Sequence, residues 1–158
     1  MEELLSRALG ATDLTWSATI LRLLVAPGLC AVIGFERERK QRPAGLRTHM
    51  LIGLAACVYC LLTLELTARF DDPEGHVKLD PIRVVEAVTS GVAFLAAGTI
   101  IFTRGEVQGV TTGASMWLAA SVGLAVGLGL FGIAIMTTVL ALAIMGLLQY
   151  SVRGADDP

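Results

Sequence analysis

Between Glu106 and Arg153 the chain carries no charged residue. A single helix over residues 107–152 would be about 69 Å long at ~1.5 Å per residue, whereas the hydrocarbon core of a bilayer is about 30 Å thick. The segment must therefore cross a membrane twice, with a turn between the crossings. Folding it in water would require several wholly buried helices inside a unit of only 158 residues, where surface outweighs core. Composition agrees: 54% of residues are hydrophobic and the mean hydropathy is +0.70, above the soluble norm. A net charge of −2 implies no nucleic-acid partner.

The same reading applied upstream predicts an all-α, polytopic membrane bundle of about five transmembrane helices. The spans fall at about 14–35, 50–66, 82–102, 110–126 and 130–150. Asp13 is placed to cap the first, which tolerates Pro27 as membrane helices do. Asp80-Pro81 opens the third, Pro being suited to the first helical position, and Gly127-Leu128-Gly129 separates the last two. Residues 1–13 form a short outer segment and residues 151–158 a tail. The acidic start, Met1-Glu2-Glu3, is unlike a secretory signal. No barrel-like alternation is present.

Charge placement orients these spans. The turn between the first two holds Arg37, Arg39, Lys40, Arg42 and Arg47, and the same side receives Arg104 and Arg153. The opposite side receives Arg7, Arg69, Lys78 and Arg83, among the acids Asp71, Asp72, Glu74 and Asp80. Seven bases against four put the N-terminus outside and the C-terminus in the cytoplasm. An odd number of spans leaves no room for two equal inverted halves.

Three ionisable residues fall within apolar segments. Arg22 lies roughly 12 Å into the first span by the helical rise; Glu65 and Glu86 lie near the outer ends of the second and third. An ionised group at mid-bilayer costs about 2.5 to 3.5 kcal/mol on insertion scales, so it finds a partner or water. Arg22 is thus expected to pair with Glu86 or Glu65, fixing how helices dock. A sharper reading makes Glu65, Glu86 and the loop from Asp71 to Asp80 an outer mouth for a divalent cation, since Mg2+ keeps most of its waters and needs few carboxylates. Small residues, namely Gly91, Ala93, Ala97 and Gly98 in the third span with Gly113, Ala114 and Ala120 in the fourth, are expected to pack helices closely.

Catalytic signatures are few. No H-E-x-x-H or phosphate-binding glycine-lysine loop occurs. Gly113-Ala114-Ser115-Met116 is superficially like the nucleophile turn of intramembrane serine proteases. A nucleophilic serine needs a base within about 3 Å, and Ser115 is expected some turns inside the membrane, away from His49 in the cytoplasmic turn and His76 in the outer loop. Cys30, Cys57 and Cys60 read as small packing residues: the C-x-x-C lacks further zinc ligands and the helix-start setting that activates a thiol. The expectation is a protein that is not an enzyme and has no cofactor.

The most charged stretch carries a likeness. Gly34-Phe35-Glu36-Arg37-Glu38-Arg39, followed by Arg42-Pro43-Ala44-Gly45-Leu46-Arg47-Thr48-His49, closely resembles the signature of the MgtC/SapB family of bacterial inner-membrane proteins. The likeness continues through Asp80 to Arg83, Ser90 to Gly98, and Val107 to Trp117. Its motif positions there include Arg83, Ser90, Gly91, Gly98, Gly109, Thr111, Thr112 and Trp117. The resemblance implies a membrane domain of about five helices, often followed by a soluble cytoplasmic domain. With the sequence ending soon after Tyr150, activity is expected in the bundle or a partner.

It also implies a role in magnesium or other ion homeostasis and stress adaptation. Family members are labelled magnesium transporters or are linked to regulation of membrane machines such as ATPases and transporters. Two glycines of the family pattern G-I-G-F-L-G-A-G stand here as Ala93 and Ala96, and a common glutamine corresponds to Ala87, beside Glu86. Two functional expectations follow: modulation of a membrane-protein partner, or cation transport through an acidic outer entrance. In the first, Arg37, Arg42, Arg47 and His49 meet anionic lipid or an acidic partner, unless these bases serve topology alone. Small-residue faces also suggest a homodimer.

Overall fold

A computed structural model describes Glu3 and residues 14–69, 80, 82–103 and 105–153. The Asp13 cap, Arg7, residues 70–79, Pro81, Arg104 and the tail from 154 lie outside the described residues. Five long helices follow in order: α1 (Trp16–Arg39), α2 (Leu46–Arg69), α3 (Ile82–Thr99), α4 (Val110–Gly127) and α5 (Phe131–Arg153). Each of α1 to α4 is long and apolar enough to cross a membrane, and α5 contains an apolar section over Phe131–Gly146. The chain is a helical bundle of the multi-pass membrane kind.

Two boundaries differ from expectation. The first two helices extend toward each other, so the basic segment is mostly helical and only residues 40–45 turn. The third helix stops at Thr99 instead of 102. A small antiparallel hairpin follows, β1 (Ile101–Thr103) paired with β2 (Glu106–Gln108), with Phe102 opposite Val107. β-branched Ile101, Thr103 and Val107 favour extended backbone there. Gly109, at φ +90°, swings the chain back into α4, and any side chain there would collide with the Thr99 carbonyl. The bundle is therefore helical with one β-hairpin at one end.

Helix α4 is the hub. Its sequence is apolar or small on every side, which suits a helix surrounded by others, and it packs against α1, α2, α3 and α5. In its C-terminal half Gly123 meets Gly53 of α2 so closely that a β-carbon on Gly123 would overlap the Gly53 carbonyl. The Cys30 thiol of α1 fills the same crossing and reaches Ala119 O at 3.3 Å. Cys57 and Cys60 are buried as well. Pro27 sits within α1 without ending it.

The expected packing residues divide unevenly. Gly113 abuts α3, where a β-carbon added to it would lie 3.1 Å from Ala96 Cβ, and Ala120 is buried. By contrast, Gly91 and Gly98 have open space where a side chain would go, and Ala93, Ala97 and Ala114 are exposed. Among the described residues, Ala93, Ala97 and Gly98 of α3 are thus not packed inside the chain. Only residues spaced by about one turn, including Val88 and Val92, turn inward on α3.

Substitution at the crossing of Gly53 and Gly123 tests this architecture. Gly123→Ala should lower the melting temperature in detergent by forcing α2 and α4 apart, at the ~1–3 kcal/mol typical of overpacking or beyond. Gly91→Ala, with free space and better helix propensity, should leave it unchanged or slightly higher.

Candidate functional site

The charged stretch between α1 and α2 folds into a helical elbow whose parts satisfy one another. The last turn of α1 closes with Gln41 N–H donating to Glu38 O at 2.9 Å and Arg42 N–H to Arg37 O at 3.0 Å. That double closure satisfies carbonyls a helix end would leave orphaned, and it holds Gln41 at φ 52°. The chain then reverses, which brings the end of α1 against the start of α2. Glu38 Oε2 accepts from Leu46 N–H at 2.7 Å, a carboxylate at a helix N-terminus where the dipole favours it.

Two glycines permit this approach. A β-carbon on Gly45 would lie 2.7 Å from Glu38 Oε2, and one on Gly34 would lie 2.8 Å from Leu46 Cα and 3.0 Å from His49 Cβ. Residues that the sequence spreads over a dozen positions are therefore one contact. Two further ties run to α5: Arg37 Nη1 lies 3.7 Å from Met145 Sδ, and Lys40 Nζ donates to Met145 O at 3.3 Å. Glu36 pairs with Lys40 and, at 3.6 Å, with Arg37.

His49 ties the elbow to the hub. It lies in the first turn of α2, fully buried, with Nδ1 2.8 Å from Gly45 O and Nε2 3.1 Å from Ser115 Oγ of α4. A carbonyl can only accept, so Nδ1 carries the proton in this arrangement and Nε2 of the neutral ring accepts from the Ser115 hydroxyl. Ser115 Oγ is also 2.8 Å from Thr112 O, so the single hydroxyl proton has two acceptors within reach.

This corrects the expectation that His49 and Ser115 are far apart. Both sit about one helical turn in from the same end of the bundle, because α2 begins at Leu46 and α4 at Val110. A serine beside an imidazole has the geometry of a nucleophile and base. Here Ser115 is only 4% exposed and the far ring nitrogen is held by a backbone carbonyl, so the pair acts as a hydrogen-bonded bridge from α2 to α4.

The bases expected to face outward also divide. Arg37 and His49 are 2% and 0% exposed, so neither can meet lipid headgroups or a partner; the helical extension of α1 and α2 carries them into the bundle. Arg39, Arg42 and Arg47 are exposed, Thr48 is half-buried, and Glu36 is largely covered. Of the remaining motif positions, Thr112 is buried and Gly109 shapes the α4 entry. Arg83, Ser90, Gly91, Gly98, Thr111 and Trp117 are exposed.

Arg22, Glu65 and Glu86 are not brought together. Arg22 Nη1 donates to Gly127 O at 2.8 Å, a carbonyl at the C-terminal end of α4. That end closes as the elbow does, with Leu130 N–H on Ala125 O at 2.8 Å and Gly129 at φ +80° packed against the Arg22 guanidinium. A cation at a helix C-terminus gains from both the dipole and an otherwise orphaned carbonyl, so Arg22 needs no carboxylate. Glu65 Oε1 instead pairs with Arg69 Nε at 2.8 Å, and Glu86 is exposed on α3. Among the described residues no group of three or more His, Cys, Asp or Glu gathers to hold a metal.

Removing one member of the bridge should expose its worth. Ser115→Ala leaves buried His49 Nε2 without a partner, at a cost of about 1–3 kcal/mol. Because the two side chains share one bond, a His49→Ala/Ser115→Ala double variant should lose less stability than the two single losses summed. Thermal unfolding of all four proteins in one detergent checks this.

Comparison with known proteins now bears on the elbow. Residues 23–153 match the MgtC family, which covers the elbow, the hub and all of α5. The chain is 35% identical over 126 residues to the putative magnesium transporter YhiD of Escherichia coli K12, covering 80% of this chain and 58% of that protein. It is 38% identical over 123 residues to the protein MgtC of Salmonella typhimurium LT2, covering 78% of this chain and 49% of the relative. It is 34% identical over 136 residues to the protein SapB of Bacillus subtilis 168, covering 85% and 58%. The chain thus spans about half the length of these relatives. No solved structure matches it. On the extent of the match across elbow and bundle, the chain belongs to the MgtC family.

Proposed function

We propose that the chain is a non-enzymatic, multi-pass protein of the bacterial inner membrane that supports magnesium and other ion homeostasis under stress by modulating a membrane-protein partner. Its contact is the exposed part of the elbow. The observation that carries this reading is the division of labour there: Glu38, Gly45, Arg37 and His49 are committed to internal contacts, while Arg42 and Arg47 stay exposed at the same end. Two guanidiniums, Arg42 on the turn and Arg47 at the start of α2, suit an acidic partner surface or anionic headgroups beside it. The excess of bases at the elbow end supports a cytoplasmic elbow, a periplasmic N-terminus and a cytoplasmic C-terminus.

Transport is the second reading, and the name of the Escherichia coli relative favours it. Its proposed entrance would use Glu65 and Glu86. With them would act the acidic loop from Asp71 to Asp80, most of which lies outside the described residues; Glu65 pairs with Arg69 along its own helix and Glu86 is exposed on α3.

An Arg42→Ala/Arg47→Ala variant should insert normally yet lose co-purification of its membrane partner; retention of the partner would sink the contact. Purified protein in liposomes loaded with a magnesium-sensitive dye should show no influx above empty vesicles. Influx that disappears in Glu86→Gln would instead establish the transport reading.

A further inference from the structure

Helix α3 carries its ionisable and several small residues on the side away from the bundle. Val84, Val88, Val92 and Ala96, four residues apart, lie toward the rest of the bundle: Val88 and Val92 are buried, Val84 packs on the core, and Ala96 touches Gly113 of α4. On a helix of 3.6 residues per turn, the face directly opposite carries Arg83, Glu86, Ser90, Ala93 and Ala97. All five are exposed. The inward stripe is wholly apolar, the stripe opposite carries the ionisable and small residues, and Val85, Phe94 and Leu95 are exposed on its flanks. Ionisable and hydroxyl side chains in a membrane segment ordinarily face protein or water.

The spacing of that outward face adds a second observation. Positions 83, 86, 90, 93 and 97 step by three and four alternately, the repeat that keeps one seam facing a parallel partner helix. Ser90, Ala93 and Ala97 are small enough for two backbones to approach closely, as membrane helix pairs require.

The charges identify the occupant. Arg83 and Glu86 stand one turn apart on the seam, and neither makes an ion pair within its own chain among the described residues. About a two-fold axis along the membrane normal, Arg83 of one chain comes beside Glu86 of the other, twice. A surface with opposite charges so arranged is complementary to itself.

We propose that the outward face of α3 is a homodimer interface, a parallel α3–α3 seam formed by Ser90, Ala93 and Ala97 and closed at one end by reciprocal Arg83–Glu86 pairs. The reading is independent of whether the protein modulates a partner or moves an ion, since it concerns assembly only.

Single cysteines test it in native membranes with the full chain. Ser90→Cys and Ala97→Cys should each give, on copper-catalysed air oxidation, a covalent species of twice the 16.6 kDa chain. Leu140→Cys, on an exposed position of α5, and the unsubstituted protein should give none. Absence of the dimer at both seam positions, equal yield at position 140, or a crosslink to a protein of another mass would each overturn the proposal. Charge exchange adds a readout that faulty folding would not mimic. Arg83→Glu and Glu86→Arg, placed singly in the Ala97→Cys background, should lose the dimer band, and the two together should restore it. A double exchange that stays monomeric would overturn the reciprocal pairing.

Discussion

A helix in hydrocarbon gains nothing by hiding its apolar face from an equally apolar solvent, so close backbone packing and a few polar bonds must hold the bundle together. The crossing of Gly53 and Gly123 is where this constraint is met most directly. There two helices approach until only hydrogens separate their backbones, and the Cys30 thiol fills what remains. Dispersion attraction falls steeply with a small gap, so this contact sets the α2–α4 distance on which the other ties depend. His49 can bridge to Ser115 at 3.1 Å because the glycines farther along the same helices allow it.

Both ends of the bundle solve one problem by related means. A helix that ends near hydrocarbon leaves carbonyls or amides without partners, and each costs free energy if left bare. At the elbow Glu38 serves the first amide of α2, that of Leu46, while Gln41 and Arg42 close α1. At the other end Arg22 serves α4 while Gly129 and Leu130 close it. A carboxylate meets an N-terminus and a guanidinium meets a C-terminus, each with the sign its dipole favours. The buried Arg37 guanidinium beside Glu36 is less fully served, since its Nε has no hydrogen-bond partner. Burial of a charge pair at that point is better read as fixing one arrangement of α1 against α5 than as a source of stability.

The helices were legible in the sequence because hydropathy length is a property of the solvent, not of the partners. The uncharged stretch after Glu106 had to become α4 and α5, and it did, with a turn at the expected glycines. What was not legible was which side each residue faces. The basic run reads as loop because charge marks membrane ends, yet Arg37 and His49 lie on the inward side of helices that extend past that mark. Arg22 reads as needing an acid, since sequence displays carboxylates but not the carbonyls of a helix end. Ser115 and His49 read as distant because residues 66 apart in sequence acquire a common depth only when both helix starts are known. The hairpin at Ile101–Gln108 was lost for a simpler reason: Ile101 and Phe102 look like the end of an apolar span until Gly105 and Gly109 are read as turns.

Helix α3 is where these two kinds of information separate. Its composition marks it as a membrane helix, and its inward valines are enough to hold it on α4. The other side carries Ser90, Ala93, Ala97 and the charges of Arg83 and Glu86, which make no ion pair among the described residues. Selection for the fold of one chain alone would permit leucine at each of those positions, at no cost in packing and with better insertion into lipid. Their presence on the outward face is a constraint of a different origin from the elbow. The elbow is explained by contacts within the chain, whereas the outward face of α3 is explained by the second copy proposed to meet it in the membrane.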